Sequence, residues 1–308
     1  MTGSSKIKQA DNVPLGVATI VGTVLALSLG DALIKSLGGN GSMGVWQLFA
    51  VRSVLAFPIL LFASLSFFGA HRLTPKSVAW IAVRSVLLAC MWIAYYLSLP
   101  LLPLAAAAAA YYTLPLFIVA FAAVFGGEAV GKTQWAGVVV GFFGITLVLR
   151  PGSEAFQWAA ILPIFSAILY AAAMILTRTK CLQEHPATLA LGLNAMFVLI
   201  GCLGLLAGWT LQMDVSGFLT TDWTSMSSDE LLNVGILAGL ILVASVGTAV
   251  AYQAAPASTV GTFDFAYVGF AVIWGTLFFD ERPDSIALLG IALIVIAGVL
   301  AVRSPKHS

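Results

Sequence analysis

The chain has 308 residues, 60% of them hydrophobic and 9% charged, with a mean hydropathy of +1.02. These values lie outside the range of soluble domains and place the chain in a bilayer. The formal charge of +1 leaves no basic field for nucleic acid, and Cys90, Cys181 and Cys202 lack paired spacing or histidine company, so no disulfide framework, metal site or cofactor is expected.

A helix that crosses the hydrocarbon needs about 20 largely apolar residues. In chain order the runs that qualify are ten: 14–37, 44–68, 77–98, 101–125, 134–150, 156–178, 187–211, 231–252, 256–280 and 284–303. They predict an all-α membrane protein. Short links rich in Gly, Pro and charge separate them, and only the 212–230 link is long. The first run follows Lys6 and Lys8 as a signal peptide would, but its length and the spans behind it predict that it is retained. With the N-terminus inside, cytoplasmic segments carry nine basic residues (Lys6, Lys8, Arg72, Lys76, Lys132, Arg178, Lys180, Arg303 and Lys306) against three outside (Lys35, Arg150 and Arg282). Both chain ends are therefore expected on the cytoplasmic side.

A shift of 153 residues places Glu128 on Glu281, Gly137 on Gly290 and Arg150 on Arg303, scarce residue types whose coincidence points to an internal duplication. The expected division is a cytoplasmic tail at 1–13, one five-helix repeat at 14–151, a second at 156–303 and a tail at 304–308. An odd number of spans per unit inverts the second copy in the membrane. Two inverted bundles around a central cavity can open it first to one side and then to the other.

The segments GGEAVGKTQWAGVVVGFFGITLVL (126–149) and FDERPDSIALLGIALIVIAGVLAV (279–302) resemble the signature of the EamA-type drug/metabolite transporter superfamily, a Glu after the fourth span of each repeat followed by a Gly-rich fifth span. Within it the chain looks most like bacterial exporters of aromatic amino acids. The resemblance implies ten helices in an inverted five-helix repeat, a bacterial inner-membrane location and export of amino acids or small metabolites. It carries over Glu128, Gly137, Glu281 and Gly290 as signature positions, which we expect to be structural, because a Glu at a helix entrance caps or pairs locally.

Charge within the spans is expensive and must face protein or water. Asp264 lies eight residues into its run, roughly 12 Å along a helix, on a stripe of small residues opposite Phe263, Tyr267, Phe270 and Trp274. Depth matches Arg84 with Asp264 near the inner side, and Asp31, Lys35 and Arg52 near the outer side. The five are expected to gate or line a cavity, with Arg84 and Asp264 as a pair, or else to form fixed ion pairs between helices. Tyr111 and Tyr112 follow six alanines and precede Pro115, while Met91 and Tyr95 share one face of the third span and Ser166 and Tyr170 one face of the sixth. Tyr95, Tyr111, Tyr112, Tyr170, Met91 and Ser166 are the expected walls of a substrate cavity for a flat or apolar side chain.

No histidine falls within a span, no paired carboxylates share one depth, and no phosphate-binding loop occurs, so an enzyme is not expected. The reading is a secondary transporter exporting amino acids, aromatic or apolar ones favoured, and similar amphiphilic metabolites by alternating access. Its partners are then the substrate and the lipid bilayer, with coupling to protons left open. A channel-like pore or a non-transporting scaffold or receptor are the alternatives.

Overall fold

A computed structural model of the chain describes residues 11–39, 43–102, 104–127, 130–149, 158–211 and 217–302. Every long element among them is an α-helix, and they contain no strand. The helices are α1 (Val13–Gly39), α2 (Val45–Phe68), α3 (Val78–Ser98), α4 (Leu104–Tyr111), α5 (Leu114–Val124) and α6 (Lys132–Leu149), then α7 (Ile161–Thr179), α8 (Pro186–Leu211), α9 (Ser228–Ala254), α10 (Ala257–Phe263), α11 (Ala266–Phe279) and α12 (Ser285–Val302).

Seven stretches among the described residues are long and apolar enough to cross a membrane: α1, α2, α3, α7 with the turn before it, α8, α9, and α10 with α11. The three other expected spans correspond to the divided α4 and α5, to α6 and to α12. The last two have 18 residues each, about 27 Å of helix, which is slightly less than a hydrocarbon core. Large apolar side chains cover the exterior. Phe62 is 76% exposed, Phe67 82% and Trp209 80%, values that suit a lipid-facing surface and not a water-facing one.

Two expected spans are each interrupted near the middle. Between α4 and α5 the chain tightens into three-residue hydrogen bonds, Thr113 to Ala110 (3.4 Å) and Leu116 to Thr113 (3.1 Å). Pro115, in the first turn of α5, has no N–H to give the Tyr111 carbonyl, so the break falls there. Between α10 and α11 the same tightening joins Phe265 to Thr262 (3.4 Å) and Tyr267 to Asp264 (3.0 Å) without any proline.

Helices from the two halves of the chain interlock. α1 packs on α9 and α3 on α7, while α2 packs on α8 and α6 on α12; α1 also meets α11, and α7 meets α4 and α5. Small residues permit the close approaches: a Cβ on Gly201 of α8 would stand 2.6 Å from the Ala50 nitrogen and 2.7 Å from the Trp46 carbonyl of α2. The long link before α9 folds down onto this contact. Gln47 exchanges side-chain hydrogen bonds with the Thr224 backbone (2.8 and 3.0 Å), and Trp46 donates its indole N–H to the Leu219 carbonyl. A capping box, Ser227 with Glu230, then starts α9.

Candidate transport site

Four ionic side chains lie at the centre, each 1% exposed: Asp31 on α1, Arg52 on α2, Arg84 on α3 and Asp264 between α10 and α11. Among the described residues none of the four is in an ion pair. Instead each is held by a hydroxyl group. Tyr267 donates to Asp31 Oδ2, and Tyr252 donates to Asp264 Oδ2 (2.5 Å). Arg52 donates through one terminal nitrogen to the Tyr96 hydroxyl (3.1 Å), and Arg84 through Nε to Thr177 Oγ1 (2.6 Å). The expected pairing of Arg84 with Asp264 is therefore not what the structure contains. Equal depth fixes the height of a side chain along its helix but not the direction in which it points, and these two point to different neighbours.

Tyrosines bridge the two carboxylates. Tyr267 and Tyr95 share a hydroxyl hydrogen bond (2.9 Å), Tyr95 packs on Tyr111 (5.0 Å between centroids), Tyr111 on Tyr170 (6.0 Å) and Tyr170 on Tyr252 (6.2 Å). Tyr112 stacks on Tyr267 at 4.8 Å. Tyr111 also directs its hydroxyl at the Met91 sulfur (3.9 Å), and Ser166 donates to the Met91 carbonyl (2.9 Å), which fastens α7 to α3. The structure thus brings Met91, Tyr95, Tyr111, Tyr112, Ser166 and Tyr170 into one buried cluster with Asp31 and Asp264. It adds Tyr252, Tyr267, Tyr96 and Trp92, which the sequence reading did not single out.

Two small cavities flank Trp92. The first, about 10 Å³, is lined by Asp31, Arg52, Trp92, Tyr96, Leu237 and Ile241. The second, about 20 Å³, is lined by Arg84, Met91, Trp92, Tyr170 and Thr248 among others. Each has space for about one water, so in this conformation the polar centre is closed to anything larger.

Lys35 lies apart from the centre, at the end of the bundle. Its ammonium meets Glu281 Oε1 at 2.7 Å and the Leu102 carbonyl at 3.1 Å, and the second Glu281 oxygen accepts the Leu104 N–H at the start of α4. At the opposite end Arg178 meets Asp11 (2.6 Å) and the Gln253 carbonyl (3.1 Å). Beside it a polar hollow of about 450 Å³ is lined by Lys76, Glu184, His185 and Gln253. Burial, with the Arg72 charge, lowers the pKa of the His185 imidazole from its ordinary value. Of the signature positions, Gly137 and Gly290 are buried on the mutually packed α6 and α12, and Glu128 lies outside the described residues.

An apolar helical shell around a buried ionic and tyrosine core, with ion pairs tying both ends, defines a polytopic membrane protein. The chain belongs to the EamA-like transporter family, whose pattern matches residues 14–150. It is 31% identical over 268 residues to a riboflavin transporter of Rhizobium johnstonii, covering 86% of this chain and 82% of that one. It is 23% identical to the pseudopaline exporter CntI of Pseudomonas aeruginosa, covering 96% of this chain and 99% of the exporter. A solved crystal structure superposes with a TM-score of 0.69 at 18% identity over 95% of this chain and 98% of the other, which establishes the fold alone. The chain is a membrane transporter and not an enzyme.

Proposed function

We propose that the protein is a secondary carrier that exports small metabolites bearing a flat ring across the bacterial inner membrane by alternating access. The observation that carries this reading is the closed tyrosine cluster spanning two buried carboxylates. Aromatic faces receive a planar ring by stacking, and hydroxyls and charges at its edges fix its orientation. The Rhizobium relative favours a flavin. Aromatic amino acids, the class the sequence resemblance implies, present the same combination of ring and polar end. Export is also the direction of the Pseudomonas relative.

The carrier reading takes the chain as ten spans in two inverted repeats, 14–151 and 156–303, with both ends cytoplasmic. Equivalent contacts support it: α1 on α9 mirrors α7 on α3, α2 meets its counterpart α8, and α6 meets α12. The helix breaks at 112–113 and 264–265 lie 152 residues apart, within one residue of the sequence shift. In this arrangement Tyr95, Tyr111, Tyr112 and Tyr170, with Met91 and Ser166, wall the substrate space. Asp31, Arg52, Arg84 and Asp264 supply its polar edges, and Lys35 with Glu281 closes the outer end. The test is flux of labelled riboflavin, tryptophan, phenylalanine and leucine in proteoliposomes, with and without an imposed pH gradient. Saturable flux of ring-bearing solutes above leucine supports the reading; no flux of any of the four refutes it, and a dependence on the gradient would identify protons as the coupling ion.

A further inference from the structure

We infer that Asp31 and Arg52 form a two-pronged site that binds the polar end of the substrate, a group in which a hydrogen-bond acceptor stands next to an N–H donor. The inference rests on the carrier reading above and gives its substrate a head-group chemistry. Both side chains line the same small cavity beside Trp92 and Tyr96. Arg52 is 1% exposed, and one terminal nitrogen is engaged by Tyr96 while Nε and Nη2 have no hydrogen-bond partner among the described residues. Those two nitrogens are one edge of the guanidinium, the edge that grips two acceptors in parallel. Asp31 is likewise 1% exposed; its Oδ2 is taken by Tyr267 and its Oδ1 has no partner among the described residues.

Leaving such atoms unsatisfied in a dry interior is costly, and a buried cation and anion that line one cavity without pairing are arranged for something to come between them. The rings of Phe49 and Phe197 lie 5.4 and 4.9 Å from the Arg52 guanidinium and hold it in place, so it is poised rather than free to swing. A carboxylate next to an ammonium satisfies both prongs, with Arg52 on the carboxylate and Asp31 on the ammonium. So does the imide edge of a flavin, with Arg52 on a carbonyl and Asp31 on the N–H between the carbonyls. The shared feature is an acceptor adjoining a donor, and the tyrosine cluster beyond takes the ring.

The experiment compares flux of parents and trimmed analogues in proteoliposomes: tryptophan against tryptamine and 3-indolepropionate, and riboflavin against its N3-methyl derivative. The wild-type protein is expected to prefer whichever parent it carries by about 100-fold or more, because buried groups left unpaired penalise the trimmed compound. Two gentle variants separate the prongs. Arg52→Lys keeps the charge but loses the flat double edge, and is expected to erase the preference over tryptamine while keeping that over 3-indolepropionate. Asp31→Asn is expected to do the reverse. Thermal melting in detergent accompanies each variant.

A parent preference within about 3-fold, in a protein that carries the parents, overturns the head-group site and leaves the carrier reading standing. Variants that slow parents and analogues in equal proportion show a merely structural role and overturn it as well. No flux of any compound overturns the carrier reading and this inference with it. Which parent is carried distinguishes the zwitterion from the imide.

Discussion

Replacing Glu281 by Gln loosens one end of the closed bundle by a calculable amount. Glu281 touches three parts of the chain: its Oε1 meets Lys35 at the end of α1, its Oε2 accepts the Leu104 N–H that begins α4, and its backbone N–H follows α11 to the Gly275 carbonyl. Gln keeps the contact with Leu104 through its one carbonyl oxygen, which turns its NH2 toward the Lys35 ammonium, so the charged hydrogen bond to Lys35 is lost. That bond is short at 2.7 Å, but its partners are 15% and 25% exposed, so screening reduces its worth. A charged hydrogen bond of about 1.5–3 kcal/mol, discounted for that exposure, leaves about 1–2 kcal/mol. Lys35 keeps the Leu102 carbonyl and the face of Phe279, so it is not orphaned. If the contact exists only when this end is closed, E281Q raises the open fraction by about 5- to 30-fold. The assay is the rate at which a membrane-impermeant maleimide labels a cysteine at position 102, buried beneath the pair, in a protein whose three native cysteines are replaced by alanine. An unchanged rate in a variant that melts like its parent would refute the seal. The double substitution K35Q/E281Q should label no faster than E281Q alone, as expected of one shared interaction.

Other outcomes follow from the same contacts. Tyr267→Phe removes the hydroxyl that serves both Asp31 and Tyr95, and should lower stability by about 1–3 kcal/mol and slow flux, read by thermal melting and by proteoliposome transport. Thr177→Val deprives Arg84 of its hydroxyl partner and should destabilise by a similar amount, about 1–3 kcal/mol, whereas Thr177→Ser keeps the bond and should melt close to wild type. Gly201→Ala drives a methyl into the α2 backbone and should cost about 1–3 kcal/mol in the same melting assay. Exchanging Arg84 and Asp264 should not restore the function that either single reversal removes, since the two do not touch; recovered flux would show that they pair in another conformation.

Much of this molecule is legible in its composition. Runs of apolar residues announce helices in lipid. The inward turn of Asp264 follows from the small residues flanking it, and Met91, Tyr95, Ser166 and Tyr170 follow from shared helix faces. Tyr267 does not follow, and the reason is local. Helical spacing counted from Asp264 assigns it to the bulky outer stripe, but α10 ends at Phe263 and α11 begins at Ala266, so the register is reset between them and the ring swings inward to Asp31. Tyr252 sits in the last turns of α9, where sequence suggests the membrane edge; the chain then turns back at Pro256 and carries Asp264 to its hydroxyl. The partners of Arg84 were illegible for another reason. Which residue on a facing helix receives a guanidinium depends on rotation about both helix axes, and a single sequence does not encode that in any countable pattern.

In the proposed carrier a solute binds at the closed tyrosine and carboxylate centre and is released on the other side by helix movement. Counterflow measures this directly: proteoliposomes loaded with unlabelled riboflavin or tryptophan are diluted into a trace of the labelled compound. A carrier of this kind transiently accumulates label above its external concentration, and Tyr267→Phe diminishes that overshoot. Label that rises only to equilibrium at a rate linear in concentration would mean an open pore, and would contradict the account.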